Sequence, residues 1–154
     1  MDEAKLVIER LSQANKSLVT AESCTGGLLG KLLTDVPGAS KVYQGGIISY
    51  AYDVKERLLG VDPALLTQKG AVCEEVAMQM AQGARRSLNS DFALAITGNA
   101  GPGTDEKNPN VGEIFVALAS EGGCVCRGLN LQGSRGKNRR EACIAAFELL
   151  GNAI

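Results

Sequence analysis

Histidine is absent from the 154 residues, and so is tryptophan. Without an imidazole the chain has no Ser-His-Asp or Cys-His nucleophile system, no HExxH zinc motif and no histidine proton shuttle. Any acid–base chemistry has to come from lysine, tyrosine, carboxylates or the backbone. Aromatic residues are few, three Tyr and three Phe, which leaves no platform for stacking bases. Charge of neither sign dominates: 16 Lys plus Arg stand against 17 Asp plus Glu, a balance that does not suit a general nucleic-acid binder. Long apolar runs are missing too. The longest, Ile114 to Ala119, is far below the ~18 residues of a membrane span, and Met1-Asp2-Glu3 is not followed by the basic and apolar regions of a leader. The five cysteines, at positions 24, 73, 124, 126 and 143, contain no CxxC pair, so neither a zinc site nor a disulfide framework is expected. These absences predict a soluble, cytoplasmic protein that binds neither membrane nor nucleic acid.

What is present fits one folded domain over residues 1–154. Hydrophobic residues make up 45% of the chain, enough for a domain of this size to bury roughly two thirds of its unfolded surface. Leu6, Val7, Leu11 and Ala14 recur at helical spacing behind Asp2 and Glu3, which suit the positive end of a helix. Ser17 to Ala21 reads as a strand and Thr25 to Val36 as a helix that Pro37-Gly38 ends. Gly46 to Tyr50 is a second strand, Asp53 caps a short helix through Leu59, and Asp62-Pro63 opens another. Glu74 to Leu88 is helical, and Phe92 to Ile96, Ile114 to Ala119 and Cys124 to Leu131 are strands. A last helix runs from about Lys137 to Leu150. Strands alternating with helices early and a strand pair late predict a three-layer α/β/α sandwich on a mixed, mostly parallel sheet.

Four segments could carry chemistry. Ala21-Glu22-Ser23-Cys24-Thr25-Gly26-Gly27 joins a strand to a helix, where free N–H groups can face an anion or a developing oxyanion. The same residues are compatible with a plain turn capped by Ser23 or Thr25. Tyr50 to Lys55 brings a phenol and an amine near the end of the next strand. A desolvated lysine can replace histidine as the base for a serine, with tyrosine relaying the proton; the plainer alternative is a solvated Lys55 with Tyr50 in the core. Thr97-Gly98-Asn99-Ala100-Gly101 leaves a strand and suits either a ligand nest or a connecting loop, and it lacks the Gly-Lys-Ser/Thr of a Walker A loop. Arg135 and Arg139, four apart in a segment that carries five basic and two acidic residues from Arg127 onward, could hold a phosphate or form a solvated face. Cys73 suits a small buried hydrophobe better than a reactive thiol.

Taken in order, AESCTGG at 21–27, Lys55 with Leu59-Gly60-Val61, Gly70-Ala71-Val72, Thr97-Gly98 through Ala100-Gly101-Pro102, and Gly133-x-Arg135-x3-Arg139 resemble the CinA C-terminal domain family, which contains the nicotinamide mononucleotide deamidases. The resemblance spans essentially the whole chain. It implies hydrolysis of the carboxamide of nicotinamide mononucleotide to nicotinate mononucleotide and ammonia without a metal or cofactor, and a homodimer. Ser23 would be the nucleophile, with Lys55 and Tyr50 assisting proton transfer. The Thr25, Gly26 and Gly27 amides would hold the oxyanion. Glu22, Thr97, Gly98, Ala100 and Gly101 would help bind the nucleotide, and Arg135 and Arg139 its phosphate. The chain departs from the family pattern at Tyr52 (usually Asn), Lys69 (usually His), Cys73 (usually Ser) and Asn99 (usually aliphatic), and carries Asn108-Pro109-Asn110-Val111-Gly112 in place of a Lys-Pro-Val-Gly run. A binding module that holds a mononucleotide without cleaving it is the alternative these departures keep open.

Overall fold

The apolar runs of the sequence become the centre of a single sheet. In the computed structural model, which describes residues 2–154, β1 (Leu18–Glu22), β2 (Tyr43–Ile48), β3 (Phe92–Gly98), β4 (Glu113–Ser120) and β5 (Gly123–Asn130) lie in the order β2-β1-β3-β4-β5. Met1, with which the expected absence of a leader begins, lies outside the described residues. β1 pairs parallel with β2 and β3, while β4 pairs antiparallel with β3 and β5. Four strands therefore point one way and β4 opposes them, as the mixed, mostly parallel expectation requires. All five residues of β1 are buried, the pattern of a central strand covered on both faces. β2 and β5 sit at the edges and alternate in exposure.

Two helical layers cover this sheet. Helices α1 (Asp2–Ala14), α2 (Leu28–Thr34) and α6 (Arg135–Gly151) pack on one face, around Leu11, Leu18, Leu33, Ile96 and Phe147. Helices α3 (Tyr52–Leu59), α4 (Pro63–Lys69) and α5 (Glu74–Leu88) pack on the other, around Val19, Leu59, Leu66, Met80 and Ala95. Leu18 and Val19 face opposite cores because strand side chains alternate, and each fully buried leucine contributes about 1.5–3 kcal/mol. Among the described residues no helix is long and apolar enough to cross a membrane.

Several boundaries move for local reasons. The helix expected from Thr25 begins at Leu28, because Gly26 and Gly27 adopt left-handed backbone with φ of 56° and 108°, a region that side-chain-bearing residues avoid. The second strand starts at Tyr43 and ends at Ile48, and its helix is opened by Ala51 rather than Asp53. Asp62 caps α4 as expected, its carboxylate accepting from Ala64 N at 2.9 Å. The last helix starts earlier than expected, at Arg135, with Ser134 as its cap. One close approach fixes the position of α3: a Cβ on Gly83 of α5 would lie 1.8 Å from the carbonyl oxygen of Leu59, so α3 seats directly on α5 backbone. The carboxyl ends of β1, β2 and β3 lie side by side, with Glu22 in register with Ile48 and Ile96, where open α/β sheets bind ligands.

Candidate active site

Ser23 is the first residue beyond β1, and its N–H still donates to Ile96 O at 2.9 Å. Its Oγ lies 2.8 Å from Nζ of Lys55, which arrives from α3. Lys55 is fully buried, against the plainer expectation of a solvated side chain. Its ammonium also donates to the carbonyls of Ser49 at 2.6 Å and Tyr50 at 3.1 Å. Burial away from water lowers its pKa from 10.5 to about 8, with the charge of Asp105 opposing that shift in part. Three acceptors saturate the charged amine. In the neutral amine two N–H groups keep the carbonyls and the lone pair is left for the Ser23 hydroxyl. The neighbouring Cys24 stays a thiol at neutral pH, because burial pushes its pKa up to about 12.

Tyr50 enters this arrangement through its carbonyl. Its side chain is 65% exposed on the cavity rim, and its hydroxyl has no hydrogen-bond partner among the described residues. The phenol expected to relay a proton thus shares the cavity with Ser23 and Lys55 without a hydrogen bond to either. The rim position follows from β2 ending at Ile48, which turns Ser49 inward and Tyr50 outward.

Glu22, expected to bind substrate, instead lies under α2. Its buried carboxylate accepts from the N–H groups of Gly27 at 3.1 Å, Leu29 at 2.9 Å and Gly30 at 3.1 Å. Gly27, which precedes the helix, has no side chain to cap it. Strand β1 thus supplies the missing acceptor and an acidic group for the positive helix end. Glu22→Ala is expected to cost roughly 2–4 kcal/mol, since it strands three helix-start donors; urea unfolding of the variant and wild type checks this.

That cap also revises the oxyanion expectation. Gly27 N–H is spent on Glu22 and Gly26 N–H on Ser23 O at 3.1 Å. Among the described residues the Thr25 amide donates to no backbone carbonyl, and the Cys24 amide reaches no residue beyond its own thiol. Arg139, expected to hold phosphate, is turned to the turn after Ser23, where Nε donates to Cys24 O at 3.0 Å and Nη2 to Thr25 O at 2.7 Å. Because a trans peptide sets C=O opposite N–H, pinning the Cys24 carbonyl directs the Thr25 N–H away from Arg139. Thr25 is fully buried and its hydroxyl has no partner among the described residues.

A cavity of about 330 Å³ opens over Ser23 and Lys55. Thr97, Gly98, Ala100 and Arg135 line it, together with Tyr52, Asn99 and Asp105. The Thr97 hydroxyl donates to Ala71 O at 2.8 Å. Gly101 does not line the cavity; its carbonyl accepts from Arg135 Nη1 at 2.9 Å. The two arginines of one helix thus divide, Arg135 toward the cavity and Arg139 toward the turn. Buried Asn138 between them donates to Ala100 O and Gly133 O, both at 3.1 Å, and accepts from Gly133 N. It ties α6 to the Gly-rich loop. Of the departures from the family pattern, Cys73 precedes α5 with its thiol raised by burial, and Lys69 pairs with Glu75 on the surface. Tyr52 and Asn99 both hold Asp105, a residue for which the sequence carries no local signal.

A buried serine–lysine pair at the carboxyl end of a mixed sheet, beneath a cavity with an arginine on its wall, defines the class of site. The profile of the CinA C-terminal domain matches residues 2–154, and the chain belongs to that family. A CinA-like protein of Frankia casuarinae is 46% identical over 145 residues, covering 94% of this chain and 33% of that protein. A CinA-like protein of Geobacter sulfurreducens is 46% identical over 134 residues, covering 87% of this chain and 32% of its own length. The chain thus spans about a third of the length of these relatives. Among solved structures, the competence/damage inducible protein CihA from Agrobacterium tumefaciens superposes with a TM-score of 0.92 at 35% identity, covering 97% of this chain and 92% of that one. A CinA superfamily protein from Escherichia coli gives 0.95 at 29% identity, over 99% and 88%.

Proposed function

We propose that the protein is a nicotinamide-nucleotide amidase that hydrolyses the carboxamide of nicotinamide mononucleotide to nicotinate mononucleotide and ammonia. The observation that carries this reading is the fully buried Lys55 with its Nζ 2.8 Å from Ser23 Oγ. With a pKa of about 8, roughly a tenth of the amine is neutral at pH 7. That fraction accepts the Ser23 proton as Oγ attacks the carboxamide carbon. The Cys24 and Thr25 amides stabilise the resulting oxyanion. Collapse of the tetrahedral adduct expels the nitrogen, which leaves as ammonia with the proton from Lys55. Water, deprotonated by the same amine, then cleaves the acyl-serine ester. Arg135 lines the cavity and spends Nη1 on Gly101 O, which leaves its remaining donors for the nucleotide phosphate.

A cavity of this volume suits a mononucleotide. Purified protein is expected to release ammonia from nicotinamide mononucleotide and far less from free nicotinamide, which lacks the phosphate. Absence of release from the nucleotide at high enzyme concentration, beside an active relative, sinks the reading.

A further inference from the structure

Among the described residues Asp105 is the only acidic side chain lining the cavity, and it is firmly placed. Tyr52 Oη donates to Asp105 Oδ1 at 2.5 Å. The Asp105 main-chain N–H donates to Asn99 Oδ1 at 2.9 Å, and Lys107 N–H reaches Oδ2 at 3.3 Å. Asn99 is buried and fixed in turn, its Nδ2 donating to the carbonyls of Asn108 and Asn110, both at 3.0 Å. Gly70 abuts the carboxylate so closely that a Cβ there would lie 2.1 Å from Oδ2. Two elements, α3 and the loop after β3, therefore hold one negative charge over the cavity.

The other charges on the cavity wall, Lys55 and Arg135, are both positive. Arg135 matches a phosphate, but a wall of positive charge repels a cationic ring. In an N-substituted pyridinium-3-carboxamide such as nicotinamide mononucleotide a single ring atom separates the quaternary nitrogen from the carbon bearing the carboxamide. Seating the carboxamide at Ser23 consequently brings the ring's charge into the same cavity, beside Lys55. Of the described residues on the wall only Asp105 offers it a counter-charge there, and Tyr52 adds an aromatic surface of the kind that attracts cations.

We propose that Asp105, positioned by Tyr52 and Asn99, is the counter-charge that makes this site select a cationic pyridinium carboxamide over the same carboxamide on a neutral ring. The ligand class rests on the amidase reading; the selection rests on the placement of Asp105. The test is calorimetric titration of the full chain carrying Ser23→Ala with nicotinamide mononucleotide and with its 1,4-dihydropyridine form, which keeps the ribose phosphate and carboxamide but has a neutral ring. The ratio of the two affinities is then measured with Asp105→Asn or Tyr52→Phe added.

Asp105→Asn keeps an acceptor for Tyr52 and removes the charge. It is expected to lower the preference for the cationic ring at least about tenfold, the size of one partly desolvated charge contact, with affinity for the neutral ring within about twofold. Tyr52→Phe, which releases the carboxylate, is expected to lower the preference by roughly threefold, and it carries the test if Asp105→Asn does not fold. An unchanged ratio, an equal loss for both ligands, or no binding of either overturns the proposal. Ammonia release by the wild type is scored separately. Release without charge preference overturns only the selection; preference without release overturns only the amidase reading.

Discussion

Ser23→Ala should yield a folded protein whose release of ammonia from nicotinamide mononucleotide falls by on the order of 10⁴-fold or more, the loss typical of removing a nucleophile that acts as a unit with its base. The side chain is small and sits at the end of β1. Its main-chain bond to Ile96 is untouched by the change. The variant loses one hydrogen bond to Lys55, a cost of about 1 kcal/mol, while the amine keeps the Ser49 and Tyr50 carbonyls. The adjacent thiol does not compensate, because buried Cys24 is held up at about 12. Near-normal release, measured with an ammonia-coupled assay alongside the circular dichroism spectrum, would exclude Ser23 as the attacking group. Retained binding of the mononucleotide by the inactive variant would show that the loss lies in the chemical step.

The fold was legible because its signals are local. Apolar runs bounded by Gly, Pro and Asn marked the strands, and Asp62-Pro63 marked a helix start that the structure reproduces. The turn after Ser23 was legible because Gly26 and Gly27 admit left-handed backbone. Lys55 was harder. Its spacing from Tyr50 is equally compatible with a solvated helix face, and only the seating of α3 on Gly83 buries it. Tyr50 and Lys55 in fact exchange the places that the plainer reading assigned them. Arg135 and Arg139 illustrate a different limit. Four-residue spacing put them on one face, yet Arg139 is drawn to the carbonyls of residues 24 and 25, 115 and 114 positions away in the chain. Asp105 lies in a loop without periodicity, and its importance arises only from partners at Tyr52 and Asn99.

Lys55→Met separates the lysine's part in activity from its part in the pH dependence of stability. Methionine has a comparable length and no base, so ammonia release should fall by about 10³-fold or more. In the wild type, kcat/KM should rise with pH up to about 8, as the amine loses its proton; the residual activity of the variant should lack that rise. Stability follows from the same shift. The folded amine has a pKa of about 8, whereas an unfolded lysine titrates near 10.4. Between these values the unfolded chain binds more protons, so wild-type stability rises with pH across that window. The gain relative to Lys55→Met, whose site does not titrate, should approach roughly 3 kcal/mol between pH 8 and 10.5, at about 1.4 kcal/mol per pH unit. Below pH 8 the wild type bears the full cost of the buried charge, and the variant loses only the hydrogen bonds to Ser23, Ser49 and Tyr50. Urea unfolding of both proteins at pH 7, 8, 9 and 10 measures the difference. Parallel stability curves would mean that Lys55 keeps an ordinary pKa in the folded protein, and a charged lysine cannot take the Ser23 proton.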